Sequence, residues 1–121
     1  MNAIATALVL VIAALHAYFL VLEMFLWNTP RGRRAFGMNP QQAEQTATLA
    51  KNQGLYNGFL AAGLVWSAFA ADAAMAFQLK VFFLGCVLVA GVYGAATAAR
   101  KILFVQAMPA LSALACVLLA R

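Results

Sequence analysis

The sequence predicts an all-α, polytopic membrane protein built as a four-transmembrane-helix bundle, and three observations carry that expectation. Of 121 residues, 66% are hydrophobic, whereas a soluble domain is roughly half apolar. Only 9% are charged, against roughly a quarter in such a domain. Four long apolar stretches take up nearly all of the chain, so a single domain over residues 1–121 is expected, with short connections and no appended soluble part.

The first span covers residues 3–27, enough to cross a hydrocarbon core of roughly 30 Å, and Trp27 marks its interfacial end. No Lys or Arg precedes it and it is too long for a signal-peptide core, so it reads as a retained helix. The loop over residues 28–51 is the main polar stretch, with Pro30, Arg31, Arg33, Arg34, Gly37 and Pro40. Within it, Asn39, Pro40 and Gln42 form a helix start: Asn caps free amides, Pro suits the first helical position, and Gln42 reaches back. The second helix therefore begins near Pro40, outside the hydrocarbon, and its embedded span covers 52–69. An Ala-rich connection holding Asp72 leads to the third span, 77–99. Arg100 and Lys101 separate that span from the fourth, 102–119. In the fourth, Pro109 lacks an amide proton and crowds the carbonyl of Val105, which predicts a kink.

Basic residues fix the expected orientation, because Lys and Arg in short loops stay on the cytoplasmic side. Arg31, Arg33, Arg34 and Lys51 share a side with Arg100 and Lys101, while the opposite side offers only Lys80 and Arg121. The expected location is thus the bacterial inner membrane, multi-pass, with both termini outside and 28–51 in the cytoplasm. The net charge of +5 sits at span ends rather than on a basic surface interleaved with aromatics, so nucleic acid is not an expected partner; membrane lipids are. Cys86 and Cys116 lie inside apolar stretches and read as small hydrophobes, not as a disulfide or metal framework.

Ionisable groups inside a span cost roughly 2.5 to 3.5 kcal/mol on insertion scales, so Glu23 and His16 require a reason. They are seven positions apart and project from one face of the first helix, a face that Trp27 continues. The second helix opens with Asn52, Gln53, Tyr56 and Asn57, and the spacing puts Gln53 and Asn57 on one face. Beside them Gly54, Gly58 and Ala62 form a seam of small residues for close packing, either within the chain or in a homo-oligomer. Tyr93 falls on one side of the third helix with Thr97 and Arg100, and Gln106 lies one turn into the fourth. Counted from the cytoplasmic ends, Glu23, Asn57, Tyr93 and Gln106 share a depth of roughly 5 to 10 Å. That convergence predicts a polar pocket floored by His16 and roofed by the arginines.

Two readings of these groups stand side by side. Glu23 orients a ligand, or it accepts bonds from Asn57 or a loop arginine and holds the helices together. His16 is a proton-responsive group or a neutral bonded side chain. The amides are ligand contacts or helix glue, and the arginines are topology signals and lipid contacts or recruiters of an anionic ligand.

The segment from His16 to Gly37, with the run Glu23-Met24-Phe25-Leu26-Trp27, and the segment from Asn52 to Gly63 resemble a bacterial family of small four-helix membrane proteins classed as a domain of unknown function. The resemblance covers essentially the whole chain and implies the architecture without an activity. A looser similarity is to the membrane-associated eicosanoid and glutathione enzymes, carried by Asn52, Tyr93 and Arg100; the chain departs from their pattern at Leu55, where they carry an acidic residue. Three functions are therefore open. The first is binding of a small amphipathic or anionic molecule by Glu23, His16, Asn57, Gln53, Asn52, Tyr93 and Gln106, with Arg31, Arg33 and Arg34 at the mouth. The second is a glutathione-dependent or isomerase-type enzyme, and the third a structural or partner-binding subunit. No nucleophile with an evident base, phosphate loop or metal-ligand spacing stands in the sequence, so no cofactor and no metal is expected.

Overall fold

A computed structural model describes residues 3–120. Every regular element in it is helical: α1 (Ala3–Met24), α2 (Pro30–Phe36), α3 (Pro40–Phe69), α4 (Ala73–Thr97), a π-helical turn (Leu103–Ala107) and α5 (Met108–Leu119). The all-α expectation is met. The helix count differs, because the loop over 28–51 contains α2 and the first three turns of α3. Two helices, α1 and α4, are long and apolar enough to cross a membrane, and a shorter apolar stretch runs from Leu103 to Leu119.

Local chemistry sets the boundaries. α1 has neither Gly nor Pro in its 22 residues and is rich in Ala and Leu, good helix formers. It ends where Leu26 N–H turns back to the Val21 carbonyl and Thr29 Oγ1 donates to Leu26 O at 2.6 Å. Thr29 then caps α2, accepting from Gly32 N–H at 3.3 Å, with Pro30 in the first turn. Gly37 ends α2 in the left-handed region at φ 64°, which glycine adopts without steric cost. α3 starts as expected: Asn39 Oδ1 accepts from Gln42 N–H at 2.8 Å and Gln42 Oε1 accepts from Asn39 N–H at 3.0 Å, a reciprocal capping box. Asp72 caps α4 by accepting from Met75 N–H at 2.9 Å.

The irregularity expected at Pro109 is realised one turn earlier. Met108 N–H reaches the Leu103 carbonyl five residues back, so the π turn closes immediately ahead of a residue that cannot donate.

The chain divides into two compact units. The smaller is Ala14–Ala61. In it α3 buries Ala43, Ala50, Gly54, Asn57 and Ala61, a stripe advancing mostly by three or four residues, as one helix face requires. The larger comprises Met1–Ala13 and Ala62–Arg121. Its core holds Val9, Leu64, Leu84, Val87, Ala110 and Val117, and α4 packs on the π turn so closely that a Cβ on Gly91 would stand 2.6 Å from the Ala107 nitrogen. Arg121 lies outside the described residues.

Candidate functional site

The polar centre of the smaller unit is a carboxyl–amide pair. Glu23, in the last turn of α1, accepts a hydrogen bond at Oε1 from Nδ2 of Asn57 on α3, and both residues are only 7% exposed. Glycine makes the approach possible. A Cβ on Gly54 would lie 2.6 Å from Met24 Cγ and 3.0 Å from Glu23 Cβ, and one on Gly58 would lie 2.5 Å from Leu20 Cδ1. A side chain at 54 would meet Glu23 Cβ and the Leu20 carbonyl and push α1 away, whereas one at 58 would displace only the end of the Leu20 side chain, so Gly54 is what lets the acid come within reach of the amide. The expected seam therefore serves packing within the chain. Its third member does not: Ala62 is exposed and Ala61 takes the buried place.

One turn beyond Glu23, Trp27 is fastened on two sides. Its Nε1–H donates to Thr46 Oγ1 of α3 at 3.0 Å, and its ring lies 4.7 Å from that of Phe36. Gly32 is pressed against the end of α1, where a Cβ would stand 2.0 Å from the Leu26 carbonyl oxygen. These contacts seat α2 beside the end of α1. Arg31 and Arg34 are exposed, while Arg33 is half-buried and donates to Asn28 Oδ1 at 2.8 Å.

Of the other expected site residues, His16 is fully buried on the same side of α1 as Glu23, two turns earlier, with its ring 5.2 Å from that of Phe19. Asn52 and Gln53 are exposed, so the face that carries Asn57 inward does not extend to Gln53. Tyr93 and Gln106 belong to the larger unit, Tyr93 at 70% exposure and Gln106 half-buried in the π turn. Tyr93 borders an open apolar depression along α4 with Phe82, Gly85 and Cys86. Both cysteines are free thiols. Among the described residues, no three His, Cys, Asp or Glu side chains come together as a metal site.

Sequence reasoning missed Lys80. Counted among the charges of the non-cytoplasmic side in the sequence, Lys80 is buried at 1% exposure in the larger unit, with Nζ donating to the Ser67 carbonyl at 2.6 Å. That carbonyl belongs to the last turn of α3, where backbone acceptors have no partner within the helix. Lys80 thus caps α3 from α4, its positive charge on the negative end of the helix dipole. A signal existed: Ala76, Lys80, Leu84, Val87 and Gly91 fall on one face, and Lys80 is the only polar member.

Comparison with known proteins sets this geometry in a family. A family described as "Protein of unknown function (DUF1304)" matches residues 10–118. The chain is 32% identical over 116 residues to "Uncharacterized protein YpaA" of Lactococcus lactis subsp. lactis (strain IL1403), covering 94% of this chain and 96% of that one. No solved structure matches.

Proposed function

We propose, from the premise that the chain belongs to the DUF1304 family, that it is a multi-pass protein of the bacterial inner membrane which binds a small amphipathic molecule through the Glu23–Asn57 pair. Membrane residence is supported by exposure: only 28% of the most apolar stretch of α1 and of α4 is buried. Phe82 at 63%, Val89 at 69% and Leu119 at 86% would otherwise face water. The second half of α3 and the Leu103–Leu119 stretch complete four passes in this reading, with both termini outside and α2 in the cytoplasm.

The observation that carries the binding reading is a buried carboxyl whose partner is a side-chain amide on another helix. A ligand bearing a hydroxyl or amine replaces Asn57 as donor to Glu23, and Asn57 then turns its carbonyl or amide to the ligand's next polar group. The exposed guanidiniums of Arg31 and Arg34 supply the charge that draws an anionic end to the same unit. A second reading, internal glue, is favoured by one fact: Asn57 already satisfies Glu23 without a ligand.

Native mass spectrometry of the gently solubilised protein separates the two. Binding predicts a co-purifying small molecule that Glu23→Gln loses while the protein stays folded; an empty wild-type protein overturns it. Melting with millimolar glutathione tests the conjugating-enzyme alternative, which requires a shift.

A further inference from the structure

We infer that the outer face of α2 is a docking surface for the phosphate headgroups of anionic phospholipids. The inference rests on the membrane reading above, and it gives Arg31 and Arg34 a lipid partner in addition to their part in drawing a ligand toward Glu23.

Three features of the smaller unit converge on it. The first is charge. With Gly32 pressed inward, helical rotation of about 100° per residue turns Arg31 and Arg33 to the two flanks and Arg34 directly outward. Arg31 and Arg34 are exposed while Arg33 is half-buried and bonded to Asn28, and no acidic residue stands in α2. Guanidinium groups pair with phosphate in a bidentate manner, and each basic residue near an anionic membrane surface adds attraction.

The second is an apolar neighbour. Phe25, in the turn between α1 and α2, is 71% exposed, and a large exposed aromatic in the segment that leads into a basic helix suits the boundary where headgroup meets acyl chain rather than open water.

The third is level. The exposed residues of α3 are mostly polar before Asn52, with Glu44, Gln45, Thr48 and Lys51 beside one exposed leucine, Leu49, and large and mostly apolar from Leu55 on, with Tyr56, Phe59 and Trp66. Glu23 packs against Gly54 within that interval, so the end of α1, and α2 seated on it through Gly32 and Trp27, stand at the polar boundary. A helix held there presents its basic face at headgroup height. α2 is also anchored, by the Trp27–Thr46 hydrogen bond beside it and by the Thr29 and Gly37 caps, so the helix from which Arg31 and Arg34 extend is held in place.

The test uses the full-length protein, solubilised from membranes and incubated with equal amounts of phosphatidylglycerol and phosphatidylcholine, with bound lipid counted by native mass spectrometry. Wild type is expected to retain the anionic lipid preferentially. The double variant Arg31→Gln, Arg34→Gln, which alters only exposed side chains, is expected to lose on the order of tenfold of that preference, and Lys51→Gln to keep most of it. An unchanged preference in the double variant overturns the inference, as does displacement of the lipid by inorganic phosphate at equal concentration, which would make the site one for free phosphate. Alkaline carbonate extraction of the same membranes distinguishes the underlying reading. If wild type is washed out, the membrane assignment falls and the inference with it; if it is retained and the lipid preference is unchanged, the inference alone falls.

Discussion

The smaller unit buries a carboxylic acid and the larger unit an amine, and the partners differ in kind. Lys80 donates to a main-chain carbonyl at a helix end, an acceptor that any residue at position 67 would supply. Glu23 accepts from the side chain of Asn57, a partner that exists only because that residue type stands there on a helix that Gly54 lets approach closely. A charge on a helix end answers a structural need of the backbone. A side-chain pair answers no backbone need, which is why the candidate site is placed at Glu23 rather than Lys80.

The comparison breaks or sharpens under mutation. The largest effect is expected from Asn57→Leu, which leaves the buried Glu23 without its donor and should cost about 3 kcal/mol in thermal or denaturant unfolding in detergent. A loss near zero would mean that another group satisfies Glu23. Next comes Lys80→Met, similar in length but without a donor. It strands the Ser67 carbonyl and should cost about 2 kcal/mol. Glu23→Gln keeps an acceptor for the Asn57 amide, so the expected loss is about 1 kcal/mol, read as a small drop in melting temperature. Ser67→Ala should be smallest, under about 1 kcal/mol, because the Lys80 acceptor is main chain and only the bond from Ser67 Oγ to the Leu64 carbonyl is removed. If Ser67→Ala cost as much as Lys80→Met, the hydroxyl rather than the carbonyl would be what holds the amine, and the contrast between the units would fail.

What the sequence made legible follows the same division. The capping box at Asn39 and Gln42 was readable because both partners are three residues apart, and the polar face of α1 because His16 and Glu23 share a helical phase. The small residues at 54 and 58 announced close packing, but phase alone put Ala62 in place of Ala61; the buried stripe steps by three as well as four, and a rigid spacing of four drifts off it. α2 is not legible by pattern because seven residues carry no periodicity, although Thr29, Pro30 and Gly37 are start and stop signals. Lys80 falls in phase with the buried face of α4, which a comparison of charge between the two sides does not register. Tyr93 was placed by depth, which fixes height along a helix and leaves direction around it undetermined; the structure turns it outward at 70% exposure.

The most direct test sets the two buried groups against each other in native mass spectrometry of the gently solubilised protein, comparing wild type, Glu23→Gln and Lys80→Met. The expected result is a co-purifying small molecule present in wild type and Lys80→Met and absent from Glu23→Gln. A molecule retained equally by Glu23→Gln, or lost equally from both variants, would contradict a ligand site centred on the Glu23–Asn57 pair.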